Sequence, residues 1–366
     1  MRQAVRRNTS RRQVATGASI VPPTGGWDAN SPLADMKEDR AIMLDNFFPS
    51  GGSVDLRRGH WIHATALGSS AVETLMSYNA PNPTNDKFFG ISGGTIYNIT
   101  SAGAAVATTV TGLTNSRHQY VNFTTPGGQF LWCCNGADAP RHFDGTTWAT
   151  PAITVITSSQ IVDVTVHKRR LWFALNNSMD AAYLPVESIA GAASVFPLGS
   201  VLGKGGYITA VSSWSTDAGE GGLDDMLVFV SSRGQVAIYQ GTDPSSATDW
   251  NLVGVFNLGA PLGRRCLLKV ANDLALITQD GVLPLSQSLQ RDRASLEDVA
   301  ITGNIRNAMN AHARSYGRIF GWQLIAHPAG NMALLTVRLP ETTLKNQFVM
   351  NTTRGAGCRS TGKTAA

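Results

Sequence analysis

The run Gly357-Cys358-Arg359-Ser360-Thr361-Gly362-Lys363-Thr364 fits the phosphate-loop pattern G-x-x-x-x-G-K-S/T. That loop works because a following helix aims its first N–H groups at the phosphates. Here the sequence ends at Ala366, so no such helix is expected and the match reads as accidental. Gly90-Ile91-Ser92-Gly93-Gly94 fits G-x-S-x-G, but a nucleophile elbow needs a strand–Ser–helix turn and a histidine partner. Thr95-Ile96-Tyr97-Asn98-Ile99 reads as a strand instead, which predicts a hairpin turn. The closest histidines, His60 and His63, would face opposite sides of a strand, and no cysteine or carboxylate completes a metal set. Asp224 and Asp225 read as solvated residues of a Gly-rich loop, and Asp35, Glu38 and Asp39 as helix-start charges. The sequence therefore nominates no catalytic, cofactor-binding or metal-ligating residue.

Its one chemical concentration is basic. Arg2, Arg6, Arg7, Arg11 and Arg12 account for the whole net charge of +5, and no acid precedes Asp28. From Asp28 onward the charges balance. An arm of this kind can release counterions on a phosphate backbone or dock on an acidic protein surface. These five arginines are the candidate partner or nucleic-acid contacts. Contact with a neighbouring subunit is the first reading and DNA the alternative.

The elements carrying the arm read as all-β. The 366 residues are 43% apolar but only 15% charged, against about 25% in an average globular chain. No run of 18 or more apolar residues offers a membrane span. Four cysteines, none in a C-x-x-C pair, read as reduced packing residues made in a cytoplasm. Short apolar strands running into Gly/Asn/Asp turns begin at Phe88, Phe130, Leu171, Met226, Leu274 and Met332, with spacings of 42, 41, 55, 48 and 58 residues. That period suits propeller blades, which cannot bury both faces alone and must stack around an axis.

One segment breaks the pattern. Ser295-Leu296-Glu297-Asp298 resembles a capping box, and Ile305, Met309, His312 and Ala313 follow at helical spacing up to Gly317. The expected organisation is a flexible basic arm and linker over 1–26, an N-terminal clamp over 27–66, and a β-propeller-like domain over 67–366 with a helical insertion near 296–316. Within the clamp, Ala41, Leu44 and Phe47 suggest a short helix or an extended turn. Trp132, Trp148, Trp172 and Trp214 fall in or beside the strand repeats, which favours the core over a sugar-stacking role.

Several runs resemble the tail hub or nozzle proteins of short-tailed bacteriophages (tail-tubular-B-like, head-to-tail completion proteins), or of a prophage. They are Gly26-Trp27-Asp28 with Leu33-Ala34-Asp35-Met36, Ala41 to Pro49, Gly52 to Gly59, Leu258-Gly259-Ala260-Pro261-Leu262-Gly263-Arg264-Arg265, Asn272-Asp273-Leu274, Thr278-Gln279-Asp280-Gly281-Val282, and the helical stretch from Ile301 to Tyr316 with Trp322. The resemblance spans about residues 26–352 and implies a non-enzymatic virion protein of the tail. Copies of the chain would form a ring beneath portal and adaptor proteins, with double-stranded DNA retained in and ejected through the channel. After residue 352 the family's aromatic strand pattern gives way to Gly357, Ser360 and Lys363. This implies a truncated or frame-shifted end and a propeller left incomplete at its C-terminus. The alternative is a propeller binding module, a lectin or a scaffold.

Overall fold

The computed structural model describes residues 20–217, 223–270, 272–338 and 344–364. Among these, six antiparallel sheets follow one another along the chain, each built from strands paired in sequence order. Blade 1 comprises Val72–Tyr78, Lys87–Ser92, Thr95–Asn98 and Val106–Ala107, and blade 2 Gln119–Thr125, Gly128–Cys134, Arg141–Phe143 and Trp148–Ala149. Blade 3 comprises Ile161–His167, Arg170–Leu175, Asp180–Tyr183 and Ser194–Pro197, and blade 4 Ile208–Asp217, Leu223–Ser231, Gln235–Gln240 and Asn251–Asn257. Blade 5 has three strands, Leu267–Val270, Asp273–Thr278 and Gly281–Pro284. Blade 6 comprises Gln323–His327, Met332–Arg338, Leu344–Asn351 and Gly357–Thr364. From blade 2 to blade 6 the first strands meet one another in turn, and Arg265 joins blades 1, 2, 5 and 6, which makes the chain a six-bladed β-propeller.

The six sequence repeats are the second strand of each blade. That strand is sandwiched by its own sheet and by neighbouring blades, so it reads as a nearly unbroken apolar run. Leu171, Trp172, Phe173 and Ala174, for example, are all fully buried. Aromatic rings fill the spaces between blades. Trp172 stacks on Trp250 with centroids 5.4 Å apart, joining blades 3 and 4. Trp132 stacks on Phe173 at 5.0 Å, joining blades 2 and 3. Gly93-Gly94 is the turn between two strands of blade 1, a hairpin as the sequence predicts, and Gly90-Ile91-Ser92 belongs to the strand that enters it. Gly94 has φ +73°, and a Cβ there would lie 2.3 Å from the Leu113 carbonyl oxygen, so only glycine fits.

The expectation of a propeller left incomplete at its C-terminus is overturned. Gly357–Thr364, the run that mimics a phosphate loop, pairs along Leu344–Asn351 as the outer strand of a four-stranded blade 6. The blade lacking an outer strand is blade 5. There the polypeptide runs through a one-turn helix, α1 (Leu285–Ser288), two 3-10 turns and α2 (Arg306–Tyr316). The helix begins at Arg306, not near 296. Ile301 donates its N–H to the Val282 carbonyl, covering blade 5's edge, and this tertiary bond overrides the local helical signal.

The clamp is an extended strap, with no helix at Ala41–Phe47 or at Asp35–Asp39. Gly26–Trp27 pairs in parallel with Arg40–Ala41, and Phe47–Pro49 forms a hairpin with Val54–Leu56. Gly26, at φ +85°, comes so close to Gly357 that a Cβ would meet its backbone nitrogen at 2.7 Å. Asp28 is nearly buried and accepts from the Ser31 and Asn30 N–H groups and from Arg40. Leu44–Asn46 lies beside blade 6's outer strand, where Arg359 donates its N–H to Leu44 and its guanidinium to both oxygens of Asp45, at 2.8 and 2.6 Å. Ala64–Thr65 then pairs with Gly103–Ala104 beside blade 1. The strap thus bridges the last blade and the first and closes the ring. Asp45→Ala should lower unfolding stability by about 1 kcal/mol, since a half-exposed but bidentate pair stands at the upper end for surface pairs. Urea titration measures this, and an unchanged midpoint would mean that the strap is held without the pair.

Candidate functional site

Two features stand out, a buried arginine hub and the outer surface of the strap. The hub grows from Arg264 and Arg265, just before blade 5's first strand. Arg265 donates to Gln119 Oε1 at 3.0 Å, the Glu73 carbonyl at 2.9 Å, Gln323 Oε1 at 3.2 Å, Thr74 Oγ1 at 2.6 Å and the His118 carbonyl at 2.9 Å. One guanidinium thereby ties blade 5 to the start of blades 1, 2 and 6. Burial pushes Arg265 down to about 10, which leaves it charged at neutral pH. Phe320, in the loop after α2, lies between Arg265 at 5.0 Å and Arg117 at 4.5 Å from its ring centre. Arg264 reaches the other way, to Asn176 Oδ1 at 3.0 Å and over Tyr207 at 5.9 Å, in blade 3 and before blade 4.

Asp163 lies deeper, 7% exposed, accepting from the Val164 and Val211 N–H groups at 3.0 and 2.8 Å. Burial pushes its carboxyl up to about 7, against those hydrogen bonds and nearby Arg264. His118 is held down at about 4 by burial, and so is His167. The Nδ1 of His118 and the Nε2 of His167 have no protein partner. Every donor of Arg265 is already engaged by the fold, so the hub acts as a clasp. No nucleophile is aligned with a base in it.

The sequence candidates are dispersed. Arg2, Arg6, Arg7, Arg11 and Arg12 lie outside the described residues. His63 Nε2 is 2.7 Å from the Ile99 carbonyl, while His60 is exposed. Among the described residues no three His, Cys, Asp or Glu side chains converge as a metal site. Asp224 and Asp225 belong to a strand, not a loop, and Asp225 accepts from Lys168 and Ser215. Ser92 Oγ donates to the Ser70 carbonyl. Trp132, Trp172 and Trp214 are buried, and Trp148 packs on Phe89 and Phe143.

The strap carries what the sequence reading passed over. Nine of the eighteen exposed large hydrophobic side chains among the described residues fall within 20–62. Trp61 is 95% exposed and Ile62 78%. Leu33, Ile42, Met43, Phe47 and Leu56 are exposed too, and the last two sit opposite each other on one side of the hairpin. Scattered exposed apolar residues are ordinary, but half of them falling in this one segment is a concentration. The cue available in sequence was Trp61-Ile62 outside any strand repeat.

No protein-family model matches the chain, and no curated protein matches it. Among solved structures the chain is similar to BBS1N crystallised in complex with ARL6DN. In the mercury-soaked crystal the likeness is at 14% identity over 59% of this chain and 64% of that one, TM-score 0.38. In the lead-soaked crystal it is at 12% identity over 81% and 79%, TM-score 0.42. A computationally designed protein, Ika8, is similar at 11% identity over 83% of this chain and 91% of that one, TM-score 0.43.

Proposed function

We propose that the chain is a non-enzymatic assembly component, a ring-forming subunit of a short-tailed phage tail. In this reading copies contact one another through the strap and meet portal or adaptor proteins, with the arginine arm reaching a neighbour or the DNA. The observation that carries it is the strap, a segment fixed to the disc yet presenting Trp61, Ile62, Met43 and Leu56 to solvent. The hub supports the same reading. Arg264 and Arg265 tie blades to one another across the disc, so in this reading the DNA channel runs between copies, not through one propeller. A near-neutral body also suits such a channel, because a basic wall would hold DNA and slow its exit. A sugar-binding propeller is the other reading, and the four tryptophans that would have stacked on sugar are in the core or packed on phenylalanines.

The test is the mass of the purified chain in solution, by light scattering and native mass spectrometry. A ring is expected, and Trp61→Asp with Ile62→Asp should weaken its assembly by about 100-fold, as loss of two interface anchors does. A ring unaffected by this double change, or no ring at all, would overturn the proposal.

A further inference from the structure

Propeller edges are unpaired backbone, and most of those here are short or covered. Val106–Ala107 and Trp148–Ala149 are two residues long, and Ser194–Pro197 ends in proline. Blade 5's edge is covered by Ile301, and blade 6's by Leu44–Asn46. Blade 4 differs. Its outer strand Asn251-Leu252-Val253-Gly254-Val255-Phe256-Asn257 is seven residues long and has no strand beyond it. Leu252 is 44% exposed and Val253 51%. No charged residue occurs from Trp250 to Gly263, whereas exposed edges are ordinarily guarded by charge or proline. The one protective device, a bulge opposite Ile238 and Tyr239, still leaves Leu252 and Val253 in solvent.

The strand also reads nearly the same in both directions about Gly254. From this we propose that blade 4 pairs edge to edge with blade 4 of a second copy, antiparallel, about a two-fold axis at Gly254. Asn251 then faces Asn257 of the second copy, Leu252 faces Phe256, and Val253 faces Val255. A two-fold contact presents the same patch twice, so a palindromic strand is the sequence it asks for. Apolar side chains meet apolar ones across the join, and no like charges oppose each other. The two sheets become one of eight strands. The contact lies at the small end of interface sizes, so the pair is reversible, with dissociation in the micromolar range. It closes at two copies and is independent of the strap.

The experiment uses the full chain carrying Trp61→Asp and Ile62→Asp, so that strap contacts cannot contribute mass. Light scattering up to about 100 µM should show a monomer–dimer equilibrium, at least 10-fold weaker with Val253→Lys. The register is read by cysteines, against a quiet background because all four native thiols are buried. Paired residues lie within disulfide reach across an antiparallel ladder. Asn251→Cys mixed with Asn257→Cys should therefore cross-link, and neither variant should cross-link alone. A monomer throughout, a dimer indifferent to Val253→Lys, or cross-linking within either single variant would overturn the proposal. Loss of the ring in the Trp61 and Ile62 background with the pair intact would leave it standing.

Discussion

Arg265→Ala should cost the fold about 4 kcal/mol, the largest loss expected of any single polar substitution here. Arg265 donates five hydrogen bonds to blades 1, 2 and 6 from just before the first strand of blade 5. Removing it takes the Arg265 donor from the Glu73 and His118 carbonyls and from the Gln119 and Gln323 side chains, beside the Phe320 ring. At about 2 cal/mol/K of unfolding entropy per residue, a chain this long should melt roughly 5 °C lower. Arg265→Lys separates charge from geometry. A lysine keeps the charge but carries three donors on one nitrogen and cannot span five acceptors on three blades. It should recover less than half of the loss. Full rescue by lysine would mean that the centre needs only a positive charge. A melting point within 1 °C of the parent for Arg265→Ala, on the same entropy scale, would show that packing alone holds the blades.

How far the sequence carried this picture depends on where each strand points. The second strand of each blade is buried on both faces, so Leu274-Ala275-Leu276-Ile277 and its counterparts stand out as apolar runs. The innermost strands face the axis with polar groups and resemble loops. Gln119, Glu73 and Gln323 make sense only once Arg265, between 58 and 192 residues away, is brought to them. The Leu258–Arg265 run resembles tail proteins, but that likeness carries no hint that its arginines tie the blades together. The strap was visible as a unit, yet its extended form is imposed by blade 6, through bonds such as Arg359 to Leu44 and Asp45. The closing strand Gly357–Thr364 was missed for the same reason. Its polar residues form a strand because Leu344–Asn351 offers an open edge to pair with. What a residue does locally was legible, and what a distant edge makes it do was not.

Acid should destabilise the protein through two buried histidines, partly opposed by one aspartate. His118 and His167 titrate near 4 when folded, against an ordinary 6.5, because burial disfavours the imidazolium. The unfolded chain therefore binds more protons between pH 6.5 and 4, and stability falls as pH drops through that window. Each histidine accounts for about 3 kcal/mol, at 1.36 kcal/mol per pH unit. Asp163 works the other way. Its folded carboxyl titrates near 7 against 3.8, so the folded state binds the extra proton, and acidification returns about 4 kcal/mol between pH 7 and 4. Asp28, held at about 2 by Ser31, Arg40 and Asn30 despite its burial, gives up its contribution only below this window. The two histidines outweigh the aspartate, and His142, also lowered by burial, adds to them, so the balance is a net loss of stability from pH 7 to 4. His167→Gln removes one histidine contribution and keeps a polar group near Ser213, so the variant should lose clearly less stability on acidification than the parent. Urea midpoints at the two pH values read the sign directly. A parent whose midpoint rises with acid, or a His167→Gln variant with the parent's slope, would show that these histidines do not stay neutral in the folded chain.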